Sequence, residues 1–204
     1  MDQSKIEVLY SINEINNNIK RVADNINKDY SRDEDLIFIC LLKGGFIFTS
    51  DLIRYVNKNV NIDFMAVSSY GNNEESSGVV KIKKNIDIDI KDKNVILVDD
   101  IIDTGTTLYE IKKILEKMNP KSIKTCCLLN KVSRREINVN VDYYCFECPN
   151  EFVLGYGMDS GEYYRNLPYI GYVKTKNETD CEIYLSRICP NTTLKYFVDK
   201  KLKR

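Results

Sequence analysis

Leu36 to Leu42 is an unbroken apolar run of strand length, Val95–Val98 is a shorter one, and Val60–Val67 and Ile123–Leu129 read as further strands. Strands without a polar face are buried on both sides, as in the middle of a parallel sheet. Between these runs the period of apolar positions changes to that of a helix. Ile12, Ile15, Ile19, Val22 and Ile26 follow the capping box Ser11-x-x-Glu14, which predicts an amphipathic helix over residues 12–28. Phe46 to Val56 has helical spacing after the Lys43-Gly44-Gly45 break, and Thr106 to Met118 predicts a further helix that stops near Pro120. Strand, helix and strand recurring in this way make the fold α/β, with a central, mainly parallel twisted sheet flanked by helices.

The shorter segments are less regular. Ser68–Gly78 is polar and contains glycine, the composition of a mobile loop, and Val79–Lys83 alternates as a short strand should. Phe152–Gly155 and Tyr169–Val173 predict short strands on either side of a glycine- and tyrosine-rich loop. Beyond Lys174, apolar residues such as Ile183, Leu185, Ile188 and Phe197 are mixed with charges, too many for an assignment of disorder. One domain is expected over residues 1–174, with its core over roughly 30–150, followed by an extension of unknown role over 175–204.

The segment that points to chemistry is Val95 to Leu108, an apolar strand ending in Asp99 and Asp100 that passes through Asp103-Thr104-Gly105-Thr106-Thr107 into a helix. A turn with backbone N–H groups, hydroxyls and a helix N-terminus suits a phosphate monoester. Two carboxylates beside a phosphate are unfavourable unless a divalent cation or sugar hydroxyls lie between them. A ribose 5-phosphate satisfies both ends. The competing explanation is an ordinary strand end with Asp103 as the cap of the next helix. The chain has neither a Gly-x-x-x-x-Gly-Lys-[Ser/Thr] loop nor a Gly-x-Gly-x-x-Gly fingerprint, which counts against nucleoside-triphosphatase and dinucleotide chemistry.

Composition narrows the field. Among 204 residues there is no histidine, which excludes imidazole bases, Ser-His triads and His-ligated zinc and leaves carboxylates, lysines and tyrosines to act. Lys plus Arg and Asp plus Glu number 30 each, so no basic surface argues for nucleic acid. No apolar run reaches membrane-spanning length and no signal-peptide core is evident, so a soluble cytoplasmic protein without a membrane partner is expected. The seven cysteines are an odd number, and Cys145-Phe-Glu-Cys148 has no second Cys-x-x-Cys to complete a four-sulfur site. Buried free thiols are the expected state.

The string Val95–Leu108 resembles the phosphoribosyl-diphosphate signature of the type I phosphoribosyltransferases, and its Asp-Ile-Ile-Asp-Thr-Gly form resembles the hypoxanthine-guanine branch. Four further segments resemble that branch in order: Leu41–Gly45, Ser68–Gly71, Lys131 after a strand, and Phe152–Asp159 with Glu162–Arg165. The resemblance covers roughly residues 6–174. It implies purine salvage, in which phosphoribosyl diphosphate and a 6-oxopurine give a nucleoside monophosphate and diphosphate, with Mg2+ as cofactor and a homodimer or homotetramer as the assembly. The implied phosphoribosyl site is Asp99, Asp100, Thr104, Gly105, Thr106 and Thr107. Lys43, Gly44 and Arg165 would bind diphosphate, with a non-proline cis peptide before Lys43, and Ser69 and Tyr70 would belong to a flap that closes over it.

The same resemblance implies a hood built from the N-terminal segment and the C-terminal strands. There Lys131 would donate to the oxygen at purine C6, Phe152 would stack on the base and Val153 would offer backbone groups to its edge. Asp159 would help Asp99 and Asp100 hold magnesium, and Asp103 would manage the proton on the purine imidazole ring. Asp99 stands where most members of this branch have glutamate, and Thr106 where lysine or asparagine is common. Two other functions are compatible with the scaffold: an RNA-binding regulatory protein, and an enzyme preferring xanthine or a pyrimidine. The first needs a basic face and tends to lack the acid at position 103.

Overall fold

A computed structural model of the chain describes residues 6–69 and 80–173. The polar loop predicted from Ser68 lies mostly outside them, with Tyr70, as does the extension after Val173. The elements run β1 (Ile6–Tyr10), α1 (Ile12–Asp29), β2 (Leu36–Leu42), α2 (Phe46–Ile53), β3 (Val60–Ser69), β4 (Val80–Lys84), β5 (Asn94–Ile102), α3 (Thr106–Glu116), β6 (Ser122–Asn130), β7 (Tyr143–Glu147), β8 (Val153–Leu154) and β9 (Ile170–Val173). Six strands form the main sheet in the order β4-β3-β2-β5-β6-β7, all parallel except β4. A second sheet, β1-β9-β8, is antiparallel and joins the two ends of the described chain into the expected hood.

Side chains of a doubly covered strand alternate between two cores. In β2 and β5, Leu36, Phe38, Ile96 and Val98 face α1 and α2, whereas Ile37, Ile39, Val95 and Leu97 face α3. Helix α1 starts at the Ser11–Glu14 capping box and buries Ile15, Ile19, Val22, Ala23 and Ile26 against the first core. Each of its fully buried isoleucines is worth roughly 1.5–3 kcal/mol relative to exposure. None of the described helices is long and apolar enough to cross a membrane.

Several boundaries differ from the sequence pattern, for local reasons. Helix α2 ends at Ile53 rather than Val56, where turn hydrogen bonds from Tyr55 to Leu52 and from Val56 to Ile53 take over. Helix α3 ends at Glu116, and Asn119 adopts a left-handed φ of 55° before Pro120. Strand β8 begins at Val153, leaving Phe152 just before it, and β9 begins at Ile170. The sequence pattern does not predict β7, since its opening Tyr143-Tyr144-Cys145 is aromatic on both faces; it extends the sheet beside β6.

Strand β5 shows the difference that matters most for function. Its apolar run stops at Val98, but the ladder with β6 continues through Asp99↔Cys127 to Ile102↔Asn130. Both carboxylates are therefore in the strand, and the turn begins only at Asp103. The strand order reverses between β2 and β5, since β3 lies on one side of that pair and β6 on the other. Open α/β sheets bind ligands in the crevice beyond the strand ends at such a point.

Candidate active site

The turn after β2 carries Lys43, Gly44 and Gly45 into this crevice, and the peptide between Leu42 and Lys43 is cis, as the resemblance implied. Across the gap stand Asp99 and Asp100 of β5. A Cβ on Gly44 would lie 1.9 Å from Asp100 Oδ2, so only glycine lets that carboxylate rest against the turn. Asp100 N–H donates to Asp99 Oδ1 at 3.0 Å, and neither carboxylate has a cationic partner among the described residues. Asp99 is pushed well above the usual carboxylate range, by burial first and then by the neighbouring Asp100 charge.

The turn after β5 closes at Gly105, whose φ of +88° begins α3. A side chain there would be strained and would meet Ile137 O at 2.9 Å. The Thr104 hydroxyl accepts from Thr106 N at 3.4 Å and lies 3.2 Å from the Thr106 hydroxyl. The other first-turn amides of α3, with Thr107, remain at the positive end of the helix, where an anion is favoured. The cap is thus Gly105, and Asp103 does not cap α3. Asp103 Oδ2 instead pairs with Arg134 Nη1 at 3.4 Å, while Oδ1 is closed off from solvent and has no partner among the described residues.

Lys131 follows β6 but is not a surface lysine: it is 3% exposed. Its backbone N–H donates to Ile102 O at 3.0 Å, beside Asp103, and Nζ donates to Glu151 O at 2.8 Å, beside Phe152. Burial lowers its pKa, partly offset by the Asp103 charge. Phe152 is half-buried, and Val153 is buried and paired in register with Tyr172 of β9. Asp103, Lys131, Phe152 and Val153 are therefore gathered at one corner.

The loop from Gly155 to Arg165 folds back over the turn after β2. Gly157, at φ +101°, approaches so closely that a Cβ would lie 2.2 Å from Gly44 O. Arg165 Nη1 donates to Gly157 O at 2.8 Å, and Nη2 pairs with Asp159 Oδ1 at 2.8 Å. Asp159 Oδ2 accepts from Glu162 N at 2.8 Å. Asp159 is thus committed to Arg165, and no group of three acidic or cysteine side chains among the described residues could hold a metal unaided. Ser69 lies at the end of β3, and Tyr70 falls outside the described residues.

Residues 6–161 match the phosphoribosyl transferase domain family. The hypoxanthine-guanine phosphoribosyltransferase of Aquifex aeolicus is 45% identical over 170 residues, covering 83% of this chain and 96% of that protein. The chain belongs to the phosphoribosyltransferase family. The hypoxanthine phosphoribosyltransferase of Haemophilus influenzae is 43% identical, over 85% of this phosphoribosyltransferase and 98% of the relative. A crystal structure of a hypoxanthine-guanine phosphoribosyltransferase from Bacillus anthracis superposes with a TM-score of 0.79 at 43% identity, covering 82% of this chain and 98% of that one. The Trypanosoma cruzi hypoxanthine phosphoribosyltransferase in complex with IMP gives a TM-score of 0.79 at 34% identity, over 86% and 98% of the two chains.

In this phosphoribosyltransferase the sequence pattern misses the segment that binds the two halves of the site together. Lys131 N–H, as above, and the Arg135 guanidinium both donate to Ile102 O, and the Glu136 and Ile137 N–H groups both donate to Thr104 O at 3.0 Å. Arg135 also holds the Asn130 side chain. These bonds tie residues 131–137 to the turn 102–105 and so link the corner around Lys131 to the turn that leads into α3. The only signal is the pair Arg134-Arg135, which looks like a solvated charge run in a chain so rich in charges.

Proposed function

We propose that this chain transfers the 5-phosphoribosyl group of phosphoribosyl diphosphate to hypoxanthine or guanine, giving IMP or GMP and diphosphate. The observation that carries the reading is the corner where Asp103, Lys131 and Phe152 meet. Asp103 Oδ1 is a shielded acceptor lacking a donor among the described residues, and Lys131 is a buried cation with protons to spare beyond its bond to Glu151. A 6-oxopurine supplies the complements of both, an imidazole N–H and an oxygen at C6.

The turn at Thr104–Thr107 receives the 5-phosphate on its amides and hydroxyls. Lys43, Gly44 and Arg165 receive the diphosphate, and Ser69 and Tyr70 belong to the flap that the family resemblance implies. Phe152 stacks on the base and Val153 offers it backbone groups. As the purine nitrogen attacks the anomeric carbon and diphosphate departs, Asp103 takes the imidazole proton. Closure around the ribose excludes water, which would otherwise capture the ring as it gains oxocarbenium character.

A divalent cation fits the two carboxylates of β5. Asp99 and Asp100 are hard oxygen donors, adjacent on β5 with the Asp100 carboxylate against Gly44 and no cationic partner among the described residues, and a small ion that keeps several waters, such as Mg2+, suits such a partial donor set. Asp99 and Asp100 would hold it with substrate oxygens; Asp159, the third carboxylate implied there, is engaged by Arg165 in this state. Bound there, the ion supplies charge neutralisation to the leaving diphosphate.

The base assignment is tested at Lys131. Lys131→Ala is expected to raise KM for hypoxanthine and guanine by roughly tenfold or more, since a buried charge-assisted hydrogen bond contributes about 1.5–3 kcal/mol and each 1.4 kcal/mol is about tenfold. Steady-state kinetics with both bases measure this. Adenine carries an amino group where Lys131 needs an acceptor, so use of adenine at rates near those of hypoxanthine by the unaltered protein contradicts the assignment.

A further inference from the structure

Glu162 holds both of the cations that the proposed reaction assigns to diphosphate. Its Oε2 accepts from Lys43 Nζ at 2.8 Å and from Arg165 Nη2 at 3.4 Å. Lys43 comes from the turn after β2, whereas Glu162 and Arg165 come from the hood-side loop, so one carboxylate oxygen spans the mouth of the crevice. The backbone of Glu162 has a left-handed φ of 70°, rare outside glycine, and its N–H is held by Asp159 Oδ2. That bent loop presents the carboxylate between the two cations. The Lys43 and Glu162 side chains are each 66% exposed, so neither charge needs the other for solvation. An ion pair that is dispensable for burial is one that a stronger anion can displace.

We propose that Glu162 is a specificity-determining residue whose carboxylate stands in for diphosphate between Lys43 and Arg165, so that ligands bearing a diphosphate must displace it and mononucleotides need not. The inference rests on the assignment of Lys43 and Arg165 to the diphosphate. Diphosphate oxygens win the exchange because they carry more charge and can engage both cations at once. The displaced carboxylate then stays beside the bound anion as a like charge. The consequence is a lowered affinity for phosphoribosyl diphosphate and for free diphosphate, and an anion ready to recapture the cations as diphosphate leaves. Affinity for IMP, which has only the 5-phosphate, is untouched.

Calorimetric titration of the full chain with phosphoribosyl diphosphate, diphosphate and IMP, each with Mg2+, tests this in the unaltered protein, Glu162→Gln and Arg165→Gln. Glutamine keeps the size and the backbone N–H bond to Asp159 while removing the charge. Glu162→Gln is expected to lower Kd for phosphoribosyl diphosphate and for diphosphate by roughly three- to tenfold, the scale of two exposed ion pairs, with Kd for IMP unchanged. Unchanged or weaker binding of the diphosphate ligands, or equal tightening of IMP, overturns the proposal. Arg165→Gln checks the assignment beneath it: this variant should lose affinity for both diphosphate ligands and keep IMP. If it binds phosphoribosyl diphosphate as tightly as the unaltered protein, the diphosphate site itself is misassigned, an outcome distinct from failure at Glu162.

Discussion

Asp103→Asn lowers kcat by about 10²- to 10⁴-fold, the range for loss of a positioned acid–base group, and leaves the fold intact. The two halves of this expectation come from different atoms of one side chain. Oδ2 faces Arg134 at 3.4 Å, a partly exposed pair whose loss costs about 1 kcal/mol or less. Oδ1 has no partner among the described residues and is shielded from water, which is costly for an acceptor unless a ligand supplies the donor. Asparagine keeps the shape but cannot take a proton. Since Gly105 and not Asp103 begins α3, no helix cap is lost. Single-turnover kinetics beside a thermal melt separate the effects. A variant with near-normal kcat leaves Asp103 as an ion-pair partner only and favours the RNA-binding regulatory reading of the scaffold.

Excess chelator is expected to abolish turnover, with activity restored by Mg2+. Asp99 and Asp100 place two carboxylates at the end of one strand, and burial plus mutual repulsion already push Asp99 upward without any ligand. A diphosphate entering the same crevice adds further negative charge within a few ångströms. At such separations like charges repel by several kcal/mol even at an effective dielectric of about 20. Lys43 and Arg165 do not offset this alone, because the Glu162 carboxylate that diphosphate displaces from them stays beside the bound anion as a further negative charge. Turnover at the full rate in metal-free buffer, measured by nucleotide formation, contradicts the role given to the β5 carboxylates.

The main sheet was legible because β2 and β5 are apolar on both faces, a pattern that few other arrangements tolerate. The capping box of α1 and the apolar repeat that follows it were equally plain. Strand β7 was hidden because Tyr143, Tyr144, Cys145 and Phe146 follow one another with no clean alternation of apolar and polar positions, and its place is set by pairing with β6. The length of β5 was hidden for a related reason: Asp99 and Asp100 read as a strand end, yet the hydrogen-bonded ladder to β6 carries them onward to Ile102.

The site was legible as a set of motifs but not as a network. Lys131 is one of many lysines in the sequence, and only the carbonyls of Ile102 and Glu151 make it a buried one. Gly44 and Gly157 are ordinary turn glycines until the fold brings Gly157 against the carbonyl of Gly44. Glu162 sits in a motif without a role of its own, because Lys43, the cation it joins to its neighbour Arg165, lies 119 residues away along the chain. Contacts between segments so distant in sequence leave no local pattern to read.

The most direct measurement is a spectrophotometric assay of the purified chain with phosphoribosyl diphosphate, Mg2+ and a panel of free bases. Hypoxanthine and guanine are expected to be converted to IMP and GMP with release of diphosphate, and adenine and the pyrimidines are not. Absence of nucleotide formation with both oxopurines, or a preference for adenine or a pyrimidine, contradicts the proposed function.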